Sequence, residues 1–178
     1  APAGVESYRA QDFAADAVEV ARTVADVAGV AAVHLLGHSF GGTVAQAAVV
    51  RDRSPFASLT LLCSGPHGWP GREDALRDRL LASHGVDLWR LDHPDRAGVP
   101  DEDLDPADLF WRRRAERTST EHLLGAIDVL ADPTDTTEAV AATGVPVLVV
   151  HGERDDAWPQ DWQRRSAARL GAPLVVVP

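Results

Sequence analysis

The feature that most constrains the fold of this chain is a serine between glycines that directly follows an apolar run. Residues 33–36 are Val-His-Leu-Leu, and the next six are Gly37-His38-Ser39-Phe40-Gly41-Gly42. This stretch fits G-x-S-x-G, the pattern of a sharp strand-to-helix turn that holds a serine hydroxyl above the end of a strand. The small and apolar residues 43–50 predict the helix that must follow. We expect the three glycines to lie where a side chain would collide with the strand or the helix.

Apolar segments alternate with helical patterns on both sides of this turn. Short and almost wholly apolar segments predict strands at residues 30–36, 57–63, 146–151 and 173–177, and the first is of the kind buried on both faces of a parallel sheet. One helical pattern precedes the first strand, at residues 11–28. Two others lie between strands, at residues 43–51 and 160–170. Such alternation implies right-handed crossovers between parallel strands. The prediction is an α/β fold in a single domain, residues 1–178, with one parallel sheet of about four strands flanked by helices.

The first helix has an apolar periodicity that predicts its buried face. Apolar residues recur at spacings of three and four at Phe13, Ala17, Val20, Val24 and Val27. Gly29 is predicted to end this helix, because glycine readily adopts the left-handed conformation of a helix C-terminus.

The segment between the second and third strands has a different pattern. Amphipathic stretches predict helices at 72–83, 105–117 and 120–131, and Asp105-Pro106 is typical of a helix start. No strand pattern occurs here, so residues 69–137 are predicted to be a helical insertion within the domain.

The overall charge limits the classes of partner. A formal net charge of −10 argues against nucleic acid or an anionic membrane, and favours a small uncharged substrate. No stretch is apolar enough to span a membrane and no signal peptide opens the chain, which predicts a cytoplasmic location. All 17 basic residues are arginine, which is typical of GC-rich bacterial coding. Cys63 is the only cysteine and is expected to be a buried, inert thiol; neither a metal site nor a cofactor is predicted.

Three predicted loops meet at the carboxyl edge of the sheet, where ligands bind in such folds. They contain Ser39, residues 64–68 and residues 152–159. A serine nucleophile requires a base, a carboxylate that orients the base, and N–H donors for the oxyanion. The backbone N–H of Phe40 can supply one donor, and Asp155 is suitably placed to be the carboxylate.

Over essentially its whole length the chain resembles the α/β-hydrolase fold family. Residues 37–42 resemble the nucleophile turn of that family, and Gly152-Glu153-Arg154-Asp155 with Pro159 resembles its acid loop. The insertion lies where the family carries a helical cap. The resemblance implies that Ser39 is the nucleophile and Asp155 the acid, with Asp156 as the fallback acid and Trp158 as a neighbour of the site. For both aspartates the alternative is a solvated turn.

Two parts of the family pattern have no counterpart in this sequence. The family places its histidine base after the last strand, and no histidine here follows Asp155. Nothing before Ser39 resembles the His-Gly loop that supplies the second oxyanion donor. The expectation is therefore a partial α/β-hydrolase fold, part of a longer sequence, in which the strand at 30–36 is an unpaired edge open to self-association.

The seven histidines have different expected roles. His67 is predicted to lie nearest Ser39, because it lies in the loop that follows the neighbouring strand. The others are expected to be structural: His34 packed against a helix, His38 pointing away from the hydroxyl, His151 in the core or at its rim, and His84, His93 and His122 on the surface.

Three hypotheses follow. The first is a serine hydrolase that acts on a carboxylic ester, lactone or thioester through an acyl-enzyme on Ser39. The insertion carries three tryptophans: Trp69, Trp89 and Trp111. They indicate either an apolar substrate group or packing of the insertion on the core. The second is a catalytically inactive relative that serves as a binding or interaction module, and the third is an inert fragment completed by another chain.

Overall fold

The computed structural model describes residues 3–83 and 85–178, without the side chains of residues 85–87. Its strands are β1 (Val33–His38), β2 (Phe56–Leu62), β3 (Val147–Gly152) and β4 (Leu174–Val177). Its α-helices are α1 (Ala10–Ala28), α2 (Phe40–Arg51), α3 (Asp74–Ala82), α4 (Gly85–Asp92), α5 (Pro106–Arg117), α6 (Thr120–Ala131), α7 (Thr137–Thr143) and α8 (Gln160–Leu170). No helix among the described residues is both long and apolar enough to cross a lipid bilayer.

The four strands form one parallel sheet in the order β1-β2-β3-β4, which confirms the predicted fold class. His38 at the end of β1 pairs with Leu62, and Leu62 pairs with Val150 near the end of β3. The carboxyl ends of the three strands are therefore adjacent, and the loops that follow them share one edge. Among the described residues β1 pairs with β2 alone, and self-association through its outer edge stays a prediction.

One face of the sheet carries the main core. Residues of α1, α2 and α7 pack with the face that includes Leu35, Leu59 and Leu61. The alternate residues of β1 point to the opposite face, where Leu36 is 60% exposed. The prediction that the first strand is buried on both faces is thus wrong. The last three residues of β4 are exposed as well.

The buried face of α1 differs from the predicted one. Ala14, Val18, Ala21 and Ala25 are buried, whereas the predicted core residues Val20, Val24 and Val27 are 61%, 49% and 86% exposed. The small alanines form a stripe that lets α1 pack closely against α2, and hydrophobicity alone does not identify such a stripe. Gly29 ends the helix with φ 66°, as predicted.

The first strand begins later than its apolar pattern indicates. The N–H of Val30 donates to the carbonyl of Ala25 at 3.0 Å, so residues 30–32 belong to the exit turn of α1. β1 then begins at Val33, whose N–H donates to the carbonyl of Pro55.

Helices α3, α5 and α6 match the three helices predicted within residues 69–137. Asp105 caps α5 as predicted, because its side chain accepts from the N–H groups of Ala107 and Asp108 at 2.9 and 3.0 Å. Helices α4 and α7 were not predicted; they span eight and seven residues, too few for the apolar periodicity to be distinctive. A second apolar cluster joins α3, α4 and α6: Leu80, Leu88, Leu124 and Ile127. That this segment is a cap stays a prediction.

Candidate active site

Ser39 lies between β1 and α2 in a backbone conformation that side chains rarely adopt. Its φ is 52° and its ψ is −123°. Holding a residue other than glycine there costs on the order of 1–3 kcal/mol and requires support from the surrounding structure. The support comes from two hydrogen bonds: Ser39 N–H donates to the Leu62 carbonyl at 3.0 Å, and its carbonyl accepts from Gly42 N–H at 2.8 Å.

Two of the three glycines beside Ser39 are required by packing. A Cβ at Gly37 would collide with the backbone of Gly41 and Gly42, and a Cβ at Gly42 would collide with the side chain of Ser64. The prediction holds for these positions. It is wrong for Gly41, where a Cβ would meet no atom within 4 Å because this position of α2 faces open space.

The buried side chain of Gln46 ties the start of α2 to the neighbouring loops. Its Nε2 donates to the carbonyls of Gly65 at 3.1 Å and Gly42 at 3.3 Å. Its Oε1 accepts from the hydroxyl of Thr136 at 2.9 Å. Gln46 was not predicted as a site residue, although a polar side chain within the apolar stretch 43–50 is a recognisable signal.

Asp155 lies in the loop after β3 with both carboxylate oxygens hydrogen-bonded. Oδ1 accepts from the N–H of Ala157 at 2.9 Å, and Oδ2 accepts from Nε2 of the fully buried Gln163 at 2.8 Å. The side chain is therefore held in a defined orientation and is not a freely solvated turn residue. Gln163 was not predicted, because its role depends on α8 packing behind the loop.

Cys63 follows β2 at the same edge and is half-buried, not buried as predicted. Its φ of 48° is a second positive value outside glycine. Burial raises the pKa of its thiol, and the neighbouring Asp155 carboxylate raises this pKa further, partly offset by a backbone hydrogen bond involving Gly152. The thiol is therefore held in its protonated form, which agrees with an inert cysteine.

Ser39 and the acid loop line one small cleft. The cleft has a volume of about 100 Å³, and Ser39 shares it with Trp158, Ala157 and Trp69, among others. Trp158 is 5% exposed, and its indole N–H donates to the carbonyl of His67 at 3.0 Å. The side chain of Asp156 is exposed, and its carbonyl accepts from Arg72 at 2.8 Å. The structure thus brings Trp158 to Ser39, whereas neither Asp155 nor Asp156 lines the cleft.

Phe40 is the first residue of α2, where a backbone N–H has no acceptor within the helix. Its ring contacts that of Phe13, with centroids 5.2 Å apart, and Phe13 contacts His122 at 5.3 Å. His122 also contacts Tyr8 at 5.3 Å. The expectation that His122 is a surface residue is therefore wrong: it is half-buried in a ring cluster that connects α6 to the start of α2.

None of the histidines that the structure describes lines the Ser39 cleft. The ring of His67 contacts that of Trp162, with centroids 4.5 Å apart and the planes tilted by 42°, and its Nδ1 donates to the Gly68 carbonyl at 2.6 Å. It lines a separate depression with Asp135 and Arg169, so the structure does not bring it to Ser39.

Two of the remaining histidines have a different environment from the expected one. His34 is exposed and bonds to the Ser58 hydroxyl at 2.7 Å, so the expected packing against a helix is wrong. His38 is exposed, and His151 is fully buried with its Nδ1 donating to the Gly152 carbonyl. His93 is half-buried and stacks on Trp89 with centroids 4.9 Å apart, so the expected surface position is wrong. His84 lies outside the described residues. Within the described chain, no group of three His, Cys, Asp or Glu side chains could hold a metal ion.

Comparison with known proteins adds a family and a set of structures. A sequence profile of the alpha/beta hydrolase family matches residues 3–178. A hydrolase from Pseudomonas aeruginosa PA01 is similar in structure, with a TM-score of 0.70 at 22% identity, over 100% of this chain and 66% of that one. No curated protein sequence matches the chain significantly.

Two other structures have similar folds. The enol-lactonase from Burkholderia xenovorans LB400 gives a TM-score of 0.70 at 20% identity, over 99% of this chain and 66% of that one. An esterase from Exiguobacterium antarcticum gives 0.67 at 20% identity, over 99% of this chain and 68% of that one. The chain therefore spans about two thirds of the length of each structure, and at these identities the likeness shows the fold alone.

Proposed function

The chain belongs to the alpha/beta hydrolase family, and from that premise we propose that it acts as a serine hydrolase on a carboxylic ester, a lactone or a related acyl compound. The observation that carries the proposal is the backbone of Ser39, held at φ 52° where β1 turns into α2. Backbone strain of this kind clusters at active sites, where the surrounding structure holds it in place. An esterase and an enol-lactonase share the fold, which supports these substrate classes.

In the proposed reaction the Oγ of Ser39 attacks the acyl carbon while its proton passes to a base. The bond to the leaving group breaks as the base passes it the proton, and an ester on Ser39 remains. Water then hydrolyses this ester, giving one proton through the base to Oγ, which releases the acid and restores the hydroxyl. The N–H of Phe40 donates to the developing oxyanion. Asp155 is the acid that orients the base, because Gln163 and Ala157 fix its carboxylate. We assign no residue as the base.

A second candidate function is an inactive relative that binds a partner or ligand. The observation that favours it is that no described histidine lines the Ser39 cleft. The two candidates differ in one property, the reactivity of the Ser39 hydroxyl, and this property can be measured directly.

A fluorophosphonate probe labels an activated serine covalently and tests the proposal. We expect the protein to be labelled, Ser39→Ala to lose the label, and Ser64→Ala to keep it. Ser64 is a matched control because it is buried beside Gly42 and its hydroxyl has no hydrogen-bond partner among the described residues. An unlabelled wild-type protein, or a labelled Ser39→Ala variant, overturns the proposal and favours the inactive relative.

A further inference from the structure

A second and larger concavity lies among the helices between β2 and β3. We call it the helical groove; it has a volume of about 970 Å³, within the range of sites that hold drug-sized ligands. Its apolar wall comes from α3, α4, α5 and α6: Leu76, Leu80, Leu88, Trp89, Trp111 and Leu123. Trp111 is 49% exposed there, so the groove presents a large apolar surface to solvent.

The helical groove is distinct from the cleft that contains Ser39. The two share no lining residue. On α6, Leu130 lines the Ser39 cleft and Leu123 lines the groove, and seven residues of helix separate them by about 10 Å along the axis. A ligand in the groove therefore does not occupy the position of the reacting serine.

The charged residues at the groove indicate the sign of the charge that its ligand carries. Arg114 and Arg117 of α5 both line it, and neither forms an ion pair with a carboxylate among the residues that the structure describes. Arg114 lies over the Trp111 ring, 5.1 Å from its centroid. The one acidic lining residue, Asp92, pairs with Arg79 at 2.6 Å. The groove therefore places two arginines without carboxylate partners beside an apolar wall.

We propose that the helical groove binds a fatty acid anion. The aliphatic chain packs against the leucines and tryptophans, where burial of each CH₂ contributes about 0.8 kcal/mol. The carboxylate pairs with Arg114 and Arg117, whose planar guanidinium groups match its geometry. This site goes beyond the proposed function, because it does not depend on the reactivity of Ser39.

Isothermal titration calorimetry with decanoate, below its micellar concentration, tests the site. We expect one decanoate per protein, bound at least tenfold more tightly than butanoate and than decyltrimethylammonium, which has the same chain and the opposite charge. Equal binding of the cation, or no measurable binding of decanoate, overturns the proposal.

Variants locate the ligand. Arg114→Gln with Arg117→Gln is expected to weaken decanoate binding about tenfold or more, and Ala115→Trp, which fills the groove, to abolish it. Arg113→Gln is the matched control: Arg113 lies on the same helix, does not line the groove and pairs with Asp101 at 3.3 Å. It should bind within twofold of wild type, as should Ser39→Ala. Decanoate binding that survives both groove variants, or is lost in Ser39→Ala, overturns the assignment. If Ala115→Trp fails to fold, the binding of decanoate to the Arg114→Gln, Arg117→Gln variant decides the outcome, because both arginines are exposed.

Discussion

At the scale of single residues, the turn at Ser39 depends on what lies beside it. The left-handed backbone brings the start of α2 so close to the end of β1 that Gly37 and Gly42 leave no room for a methyl group. Gly41, between Ser39 and the rest of α2, faces open space. Gly41 and Gly42 are adjacent in one helix, but only Gly41 has room for the methyl group of an alanine.

Gly42→Ala is expected to destabilise the protein by about 1–3 kcal/mol, because the added methyl group collides with Ser64 in a closely packed site. Gly41→Ala should leave stability unchanged or raise it by up to about 1 kcal/mol, since alanine favours a helix more than glycine does. Urea unfolding monitored by circular dichroism measures both free energies. Equal effects at the two positions would contradict this account of the turn.

The sequence predicted which loops carry the candidate site residues better than it predicted the contacts of those residues. Ser39 and Asp155 could be located because each follows an apolar strand at the same edge of a parallel sheet. Gln46 and Gln163, which hold the turn and the carboxylate, could not, because each meets its partner only when α2 and α8 pack. His67 lies in the predicted loop but turns toward Trp162.

At the scale of the elements, the ends of helices were predicted more reliably than the faces that helices bury. Gly29 ends α1 and Asp105 caps the start of α5, because such caps act locally, without reference to the rest of the chain. The buried face of α1 depends on its neighbours, and the alanine stripe that packs on α2 is less hydrophobic than the exposed valines. The seven residues of α7 were too few for a recognisable period.

Asp135 precedes α7 and contacts both the start of α7 and a residue of α8. Asp135 accepts from the N–H of Thr137 at 2.8 Å and pairs with Arg169. These hydrogen bonds and the nearby guanidinium outweigh burial, which acts in the opposite direction, and lower the pKa of Asp135. A carboxyl whose pKa is lower in the folded state stabilises the protein above its unfolded pKa, and this contribution is lost as the pH falls through the folded pKa.

Asp135→Ala should therefore lower the free energy of unfolding by about 0.5–2 kcal/mol at pH 7, the usual range for loss of a capping side chain. The difference from wild type should shrink once the pH falls below about 3.8, the ordinary pKa of an aspartate. Glu138→Ala is the control, because Glu138 also pairs with Arg169 but is 75% exposed, and such pairs contribute little. Urea unfolding at several pH values measures the effect; a constant difference between pH 7 and pH 3 would refute it.

At the scale of the whole molecule, the sheet is covered unequally. The helices pack on the face of Leu35, Leu59 and Leu61, and Leu36 of β1 projects from the other face. The apolar strand patterns predicted a sheet but not this asymmetry, because a strand of Val and Leu has the same sequence whether one or both faces are covered. Burial, and not hydrophobicity, should then decide what a leucine contributes to stability.

Two leucines of neighbouring strands test this expectation. Leu59 is fully buried in the core, so Leu59→Ala should lower the free energy of unfolding by about 2–5 kcal/mol through lost burial and a residual cavity. Leu36 is 60% exposed, and Leu36→Thr places a residue that favours strands on the open face, so the change should stay within about 0.5 kcal/mol. Urea unfolding of both variants gives the comparison. A loss of more than about 1.5 kcal/mol for Leu36→Thr would mean that the open face is covered in solution, and sedimentation equilibrium would then show whether a second copy covers it.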